Sequence, residues 1–293
     1  MANTIGNNIR FTDFGESHGI AVGGVIDGFP SRFEIDEEAI RRDLDRRAGR
    51  MAEAGVSARA VNERDEVEWL SGVIRGDGLR VKGDRLVTLG SPIAFIIRNT
   101  DAQSEDYEAL KDVYREGHAD WVYEQKYGIR DYRGGGRASA RETVARVVAG
   151  SLAKQLLAKD GIRVEAELAQ VGDETDKTKF TALLEAVQAA GESIGGEVKC
   201  RITGLPVGVG EPIFDKLQAR LAYAIMSING CRSFAYSSGI AGGISNGEDI
   251  IFQCRFKPTA TKMKEFGGRH DACIAVRATA VVEAMTALTI IDY

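Results

Sequence analysis

The histidines of this chain are its best candidates for proton transfer, because imidazole is the one side chain whose ordinary pKa lies near neutral pH. There are only three, and each lies in a short polar cluster that contains glycine. Such clusters also occur at helix ends and around buried imidazoles, but three in a chain so poor in histidine favour proton chemistry. The clusters are Gly15-Glu16-Ser17-His18-Gly19, Gly117-His118-Ala119-Asp120 and Gly268-Arg269-His270-Asp271.

Arginines are concentrated in two segments, residues 41–50 and residues 130–141. Guanidinium groups match the geometry of phosphate and carboxylate, so this density in an acidic protein indicates a small anionic ligand. Aspartates alternate with arginines in the first segment, and ion pairs on a solvent-exposed helix face explain the arginine density there equally well. In the second segment, Gly134-Gly135-Gly136 precedes Arg137 at a predicted helix start, where backbone amides suit a phosphate. A flexible turn is the alternative interpretation there.

Three further segments carry groups that could serve a ligand. Lys257-Pro258-Thr259-Ala260-Thr261 follows a predicted strand and offers an ammonium and hydroxyls to an anion, or is a strand end stopped by proline. Residues 239–247 are dense in glycine, and their backbone could pass close to a planar ligand or simply turn. Asp271, beside Arg269 and His270 at the start of a predicted strand, could be a general base or a salt-bridged strand end.

The composition and the net charge limit the classes of protein to which this chain can belong. The chain has 293 residues, of which 44% are hydrophobic, and its net charge of −5 argues against nucleic-acid binding. No apolar run of about 18 residues and no basic, apolar leader occurs, so we expect a cytoplasmic protein without a membrane segment. The four cysteines form no C-x-x-C pair, which predicts buried free thiols rather than a metal site. No linker or repeat divides the chain, so a single domain over residues 1–293 is expected.

Hydrophobic periodicity predicts a mixed α/β chain. Asp36 is the predicted N-cap of a helix that carries Arg47 near its end, and Ser139-Ala140-Arg141-Glu142 is the predicted capping box of a second. Glycine-rich turns at residues 76–78 and 82–84 predict antiparallel hairpins. Strands are predicted at residues 22–26, 66–74, 93–98, 198–203, 250–256 and 273–278, and further helices at 179–190, 215–228 and 279–291.

Taken in order, these motifs resemble those of the chorismate synthase family, and the resemblance covers most of the chain. The long segment from Lys126-Tyr127-Gly128-Ile129-Arg130-Asp131-Tyr132 through Arg133-Gly134-Gly135-Gly136-Arg137-Ala138-Ser139-Ala140-Arg141-Glu142-Thr143 is the most specific part. The other parts are Phe14-Gly15-Glu16-Ser17-His18-Gly19, Gly117-His118-Ala119-Asp120, Gly242-Gly243-Ile244-Ser245-Asn246-Gly247 and Arg269-His270-Asp271-Ala272-Cys273. The fold that the resemblance implies is α/β (α+β), a single compact β-α-β sandwich domain with mixed or antiparallel sheets.

The activity that the resemblance implies is the last step of the shikimate pathway to aromatic amino acids. In that step, a carbon–oxygen lyase converts 5-enolpyruvylshikimate 3-phosphate to chorismate by 1,4-anti elimination of phosphate. The family requires reduced FMN, with NADPH as the reductant in some members, and its members are typically homotetramers. Whether this chain reduces its own flavin with NADPH or depends on an external reductant is left open.

The resemblance also implies roles for individual residues. His18, His118 and Asp271 match the family's catalytic residues, near the flavin, at the leaving phosphate and in ring deprotonation respectively. Arg47 and Arg133 match substrate arginines, with either Arg50 or Arg59 as a further one. The flavin-binding positions are Arg137, Ala138, Ser139, Gly242, Lys257, Pro258, Thr259, Ala260, Thr261 and Arg269.

The chain is shorter than the family usually is. Between Asn229 and Gly242, and again between Thr261 and Arg269, it lacks loops that cover the flavin in relatives. We therefore expect a more open site, or one completed by a neighbouring subunit. A flavin- or anion-binding paralogue without catalysis is the alternative, but retention of the three histidine clusters and Asp271 favours the enzyme.

Overall fold

Antiparallel sheets and helices alternate along the chain in the structure, a computed structural model that describes residues 3–51, 64–76, 84–100, 104–259 and 271–293. The strands are β1 (Thr4–Ile5), β2 (Arg10–Gly15), β3 (Ala21–Asp27), β4 (Glu34–Ile35), β5 (Glu68–Ser71), β6 (Val73–Arg75), β7 (Leu86–Thr88), β8 (Ile93–Arg98), β9 (Arg163–Val171), β10 (Gly196–Thr203), β11 (Cys231–Ser238), β12 (Ile240–Ala241), β13 (Ile244–Ser245) and β14 (Ile250–Phe256). The helices are α1 (Glu37–Ala48), α2 (Asp120–Tyr127), α3 (Thr143–Lys159), α4 (Phe180–Ala189), α5 (Leu217–Met226) and α6 (Ala275–Ile290).

Two antiparallel sheets enclose a layer of helices. The first sheet has the strand order β1-β2-β3-β8-β5 and the second has the order β11-β14-β10-β9. Helix α3 packs against strands of the first sheet, α6 packs against β9 and β10 of the second, and α1 contacts both helices. Two smaller sheets, β4-β7-β6 and β12-β13, lie outside this arrangement. The predicted β-α-β sandwich is therefore confirmed, and all strand pairs in the described part of the chain are antiparallel.

Helix α1 forms where the sequence predicts it. The Asp36 side chain accepts a hydrogen bond from the Ala39 amide at 3.0 Å, which caps the first turn. Ile40 and Leu44 lie on its buried face. The cap residue at the other end, Gly49, has a left-handed conformation, so the helix stops just after Arg47 and delivers that side chain into the interior.

The predicted capping box at Ser139 is only partly realised. The Ser139 Oγ accepts from the Arg141 amide at 3.3 Å, but it caps a single 3-10 turn, Ala140–Glu142, and α3 begins at Thr143. The Glu142 carboxylate pairs with Arg146 at 2.8 Å. This arrangement turns Glu142 inward, beneath the segment that follows the glycine triplet.

The prediction of a strand at residues 273–278 is wrong, because helix α6 occupies Ala275–Ile290. Alanines, valines and threonines fill its length, and it is buried on nearly every side between α3, α5 and the second sheet. A helix buried all round shows no hydrophobic period and cannot be distinguished from a buried strand over its first residues. Asp271 accordingly lies a few residues before a helix and not at the start of a strand.

One carboxylate joins three helices and the second sheet. Glu283 on α6 is 3% exposed and accepts two hydrogen bonds from Arg46 of α1, at 2.7 and 2.8 Å. It also accepts from Lys154 of α3 and from the Ala166 amide of β9, both at 2.8 Å. Burial by itself would raise the pKa of Glu283, but these cations outweigh burial and hold its pKa below the usual range.

A second carboxylate ties the two ends of the described chain together. The Asp292 Oδ1 accepts hydrogen bonds from the backbone amides of Asn7 and Asn8 at 2.6 Å and from that of Ile9 at 3.2 Å. Its other oxygen lies 2.6 Å from the Arg220 guanidinium of α5. These bonds fix the turn from which β2 starts, and β2 leads directly to the loop that carries His18.

The expectation of free, buried cysteines is confirmed for all four. Cys200, Cys231 and Cys254 lie on β10, β11 and β14, and burial is the main cause that raises the pKa of Cys200 above its usual value. Among the described residues there is no cluster of His, Cys, Asp and Glu that could hold a metal ion. The described helices are also all too short or too polar to cross a membrane.

Candidate active site

Two of the three histidines lie against the glycine triplet. His18 stands in the loop between β2 and β3, its Nδ1 lies 3.1 Å from the Ser17 Oγ, and its ring packs edge-on against Tyr107. Gly134 and Gly135 have φ values of +59° and +85°. A Cβ at Gly134 would collide with the His18 ring, and one at Gly135 would lie 2.6 Å from Cε1 of His118. The glycines are therefore required because the backbone takes a left-handed conformation and because imidazoles occupy the space of their side chains.

The third glycine makes the same kind of room for a carboxylate. A Cβ at Gly136, where φ is +52°, would meet Oε2 of Glu16 at 2.5 Å. Burial, and to a smaller extent the charge of Asp131, raise the pKa of Glu16, while Arg137 opposes them. The sequence motif Gly15-Glu16-Ser17-His18-Gly19 thus supplies an imidazole to the first glycine of the triplet and a carboxyl to the third.

A cavity of about 850 Å³ opens beside the glycine triplet. Its wall contains the sequence-predicted residues His118, Arg133 and Arg137, together with aromatic side chains to which the sequence analysis assigned no role. The Asp131 carboxylate orients Arg133 through hydrogen bonds at 2.9 and 3.0 Å. The added aromatic and acidic lining residues include Phe14, Glu16, Tyr123, Tyr127, Asp131 and Tyr132.

Arg137 forms an ion pair with the buried carboxylate of Asp13. Its Nη1 donates to Oδ1 of Asp13 at 2.9 Å and to the carbonyl of Gly15 at 3.0 Å. Asp13 and Glu142 in turn flank Arg146, whose Nε lies 3.6 Å from the first carboxylate and 2.8 Å from the second. Two carboxyls and two guanidiniums therefore form one network under the glycine triplet.

The surroundings of Glu142 in this network raise its pKa. Burial is the largest cause that raises its pKa to about 8, with Asp13 adding to the shift and Arg146 opposing it. When both groups are ionised, Oδ2 of Asp13 lacks a hydrogen-bond partner among the described residues. A proton on Glu142 supplies that bond, because the protonated carboxyl can donate to Asp13.

This proton predicts that stability falls as pH rises from about 5 to 8. Over that range the unfolded Glu142 has released its proton and the folded one has kept it, so raising the pH favours unfolding. Glu142→Gln, whose amide can donate to Asp13, should flatten this part of the pH dependence, as measured by urea unfolding at pH 6, 7 and 8. Glu165→Gln, at an exposed position of β9, is the control and should leave the slope unchanged. An unaltered slope in the Glu142 variant would contradict the assignment.

The substrate arginine predicted at Arg47 is 4% exposed and meets a buried acid. Its guanidinium lies 3.3 Å from Asp65 and donates to the carbonyl of Ala140 at 2.9 Å. Arg141 approaches the other oxygen of Asp65 at 2.5 Å. Burial would raise the pKa of Asp65, but Arg47 and Arg141 outweigh it and lower that pKa. Arg50, the other described candidate, pairs with Asp45.

Asp271 lies on the same side of the molecule as Arg47. Arg277 of α6 links them, since it pairs with Asp271 at 2.7 Å and donates to the Arg47 carbonyl at 2.8 Å. These residues line a small cavity of about 50 Å³ with Ala140 and Asn229. The Asn229 amide reaches the Ala138 carbonyl at 3.0 Å. Residues 137–140 therefore separate two groups of predicted site residues, with the histidines on one side and Asp271 with Arg47 on the other.

The predicted flavin-binding segments lie in different places. Lys257 donates to the carbonyl of Gly117, next to His118, at 3.1 Å, and burial followed by the charge of Arg232 lowers its pKa. Pro258 and Thr259 continue from it, and the Thr259 carbonyl accepts from Ser193. Gly242 lies in the turn between β12 and β13, with open space where a side chain would be. The predicted site residues Arg59, Ala260, Thr261 and Arg269 lie outside the described residues.

Comparison with known proteins identifies the family. The family model described as chorismate synthase matches residues 9–241 and 235–293. The chain belongs to the chorismate synthase family. It is 41% identical to the chorismate synthase of Bacteroides thetaiotaomicron over 100% of this chain and 98% of that protein. It is 40% identical to that of Azobacteroides pseudotrichonymphae over 99% and 98%. A crystal structure of a chorismate synthase matches with a TM-score of 0.74 at 25% identity, covering 98% of this chain and 92% of that one.

The chain is a short member of the family. The alignment with the Azobacteroides pseudotrichonymphae protein runs over 361 positions, whereas this chain has 293 residues, so at least 68 positions of the alignment have no counterpart here. Between Asn229 and Gly242 the structure has only strand β11 and the short β12, joined at Gly239. That this connection is shorter than in relatives stays a prediction.

The described residues fit a flavin, on which the family depends. The large cavity combines aromatic side chains with Arg133 and Arg137, which suits a planar, anionic group. Thr259, on the segment that begins with Lys257, has a buried Oγ1 without a hydrogen-bond partner among the described residues. A phosphate or ring oxygen could satisfy that hydroxyl.

Proposed function

We propose that this chain is a chorismate synthase that converts 5-enolpyruvylshikimate 3-phosphate to chorismate with the help of reduced FMN. In this reaction a carbon–oxygen bond breaks and phosphate leaves, while a ring carbon gives up a proton to a base. A second double bond forms in the ring, and the reaction is redox-neutral overall. When bound beside Arg137 and Lys257, a reduced flavin would supply transient electron donation that assists departure of the phosphate.

One observation carries the proposal. In a member of this family, the rings of His18 and His118 lie against adjacent glycines of one triplet, and Arg137, which follows that triplet, lines the large cavity together with His118. Two proton-transfer groups and a cation thus meet at one place. That set matches a reaction that releases a phosphate and moves a proton.

The acid–base roles follow from these positions. We assign His118 to give a proton to the leaving phosphate, and His18 to hold a proton beside the bound cofactor. Asp271 is assigned to accept the ring proton, with Arg277 orienting its carboxylate at 2.7 Å. The phosphate and carboxylates of the substrate are bound by Arg47 and Arg133, and by Arg50 or Arg59.

The residues that we propose to bind the flavin come mainly from two segments, one directly after the glycine triplet and one that begins at Lys257. Arg137, Ala138 and Ser139 offer a guanidinium, backbone groups and a hydroxyl, and Lys257 adds an ammonium beside Gly117. The remaining positions proposed to hold FMN are Gly242, Pro258, Thr259, Ala260, Thr261 and Arg269.

We further propose that the chain acts in the cytoplasm as one domain over residues 1–293 and assembles as a homotetramer. Exposed apolar side chains support an assembly, because Ile213 and Phe214 are 69% and 86% exposed in the single chain. Sedimentation of the purified protein tests this directly, and a monomer at micromolar concentration would contradict it.

Anaerobic turnover tests the proposed activity. Purified protein is mixed with 5-enolpyruvylshikimate 3-phosphate and chemically reduced FMN, and both phosphate release and chorismate absorbance are followed. Equal rates for both products are expected. A parallel reaction with oxidised FMN and NADPH shows whether the chain reduces its own flavin. Flavin binding without turnover in the first reaction would contradict the proposal.

His118→Ala is expected to slow turnover about 100-fold while FMN affinity changes less than about threefold, because general acid catalysis is lost but the flavin-binding residues remain. Stopped-flow rates with saturating reduced FMN and fluorescence titration of FMN measure the two effects. Lys126→Ala, on the exposed side of α2, is the control and should change neither. Loss of flavin binding together with normal chemistry in the loaded enzyme would refute the assigned role.

A further inference from the structure

We propose that Asp120 is a positioning residue that fixes the proton of His118 on Nδ1 and so aims Nε2 at the reacting phosphate. The inference deepens the proposed function and rests on it for the identity of the phosphate. Its structural part, the position of the proton on the ring, stands independently of turnover.

The contact itself is short and buried. Nδ1 of His118 lies 2.8 Å from Oδ1 of Asp120, and Asp120 is only 3% exposed. Asp120 is the first residue of α2, so the rigid start of a helix holds its position relative to the loop that carries His118. A hydrogen-bond partner on one ring nitrogen determines what the other nitrogen can do.

Asp120 is an ionised acceptor. Arg115 donates to it from Nε at 2.8 Å, from Nη2 at 2.9 Å and from its backbone amide at 3.1 Å, and Arg130 lies 3.5 Å away. Burial would raise the pKa of Asp120, but the hydrogen bonds from Arg115 and His118 outweigh it and hold that pKa well below the usual range. An ionised carboxylate has no proton to give.

The proton between the two groups must therefore belong to the imidazole. Two acceptors 2.8 Å apart without a hydrogen would repel each other, so Nδ1 carries it. Arg115 Nη2 also lies 3.2 Å from Nδ1, and an unprotonated Nδ1 could accept from it. That contact is longer, and the same Nη2 already donates to Asp120 at 2.9 Å.

The other ring nitrogen faces the glycine triplet. A Cβ at Gly135 would lie 2.9 Å from Nε2 of His118, so this nitrogen is at the backbone that lines the cavity. With Nδ1 bound to Asp120, Nε2 is the atom that gains a proton when the ring is charged and can donate it to the phosphate. The carboxylate also stabilises the charged ring, because Arg115 and Arg130 alone would oppose a third positive charge.

Asp120→Asn tests the assignment because the side-chain amide of asparagine has one oxygen and one NH₂. The hydrogen bonds around it determine which of the two faces His118. At Oδ2 the NH₂ would face two donors, Nε and the backbone amide of Arg115, whereas at Oδ1 it faces only one donor of that arginine, Nη2. It is therefore placed at Oδ1, where it can donate to His118 Nδ1 only if that nitrogen gives up its proton. The substitution should move the neutral ring to the Nε2-protonated form.

Nitrogen-15 NMR of the full-length protein reads the ring directly, because the chain has three histidines and His118→Ala identifies the signal. At a pH where the ring is neutral, wild type should show Nδ1–H and Asp120→Asn should show Nε2–H. An Nε2–H ring in wild type would overturn the proposal, whether or not the protein turns over substrate. This measurement separates failure of the inference from failure of the proposed activity.

Kinetics test the functional part. Asp120→Asn should lower kcat about 100-fold with KM changed less than about threefold, and should add less than about threefold in a His118→Ala background. Glu124→Gln, which neutralises a carboxylate 3.1 Å from Arg130 without contacting His118, is the control and should leave kcat and the tautomer unchanged. A full Asp120→Asn effect in the His118→Ala background, or a rise in KM alone, would show that Asp120 acts through Arg115 and would overturn the proposal.

Discussion

Gly135→Ala is expected to lower turnover about 100-fold or more while the protein still folds. The added Cβ would lie 2.6 Å from Cε1 and 2.9 Å from Nε2 of His118, so the ring must move away from the cavity. A shift of about 1 Å in a catalytic group is sufficient for a loss of this size. The left-handed conformation adds strain of about 1 to 2 kcal/mol, which alone would not remove activity.

The control for this variant separates strain from displacement. Gly161 has φ of +76°, close to the +85° of Gly135, but a Cβ there meets no atom within 4 Å. Gly161→Ala should therefore show a similar loss of unfolding free energy and normal kcat. Equal kcat values for the two variants, measured anaerobically with reduced FMN, would show that the contact with His118 is unimportant.

Glu283→Ala is expected to lower the free energy of unfolding by about 3 to 5 kcal/mol, the largest stability effect that we foresee. The substitution leaves the partly buried side chains of Arg46 and Lys154 and the Ala166 amide without their shared acceptor. The loss should appear in urea unfolding at pH 7.

An exposed ion pair provides the comparison. Glu167 lies 2.6 Å from Lys177, yet both side chains are more than half exposed. Glu167→Ala should therefore cost less than about 1 kcal/mol despite the shorter distance. A Glu283→Ala loss as small as this would mean that the network around Glu283 contributes little to the fold.

The predictability of the fold from sequence depended on how each element is buried. Strand β14 was predicted with its observed bounds, because it is apolar, β-branched and bounded by polar residues. Helix α1 was found from its cap and its two-faced pattern. Helix α6 was partly misread because it is buried all round, and β11 was missed because most of its side chains are exposed. Only tertiary contacts decide such segments.

For the site, sequence analysis identified the histidines and the arginines but not the buried carboxylates that pair with those arginines. The histidine clusters and the Gly134-Gly135-Gly136 triplet could be recognised as local motifs. Asp13 and Asp65 could not, because each meets its arginine across more than ten residues of chain and no spacing rule connects them. Asp120 was visible two residues after His118, but its role depends on a loop that turns back at a helix start. Only the three-dimensional structure shows that Asp271 and the histidines lie on different sides of residues 137–140.

Asp292 has a consequence for how the site is assembled during synthesis. The turn at residues 7–9 receives its acceptor from Asp292, so β2 lacks that anchor while the chain is still growing on the ribosome. The loop with His18 follows β2 directly. The strand that leads to His18 is thus fully anchored only after Asp292 has emerged, and nascent chains arrested before Asp292 should carry an incompletely ordered site.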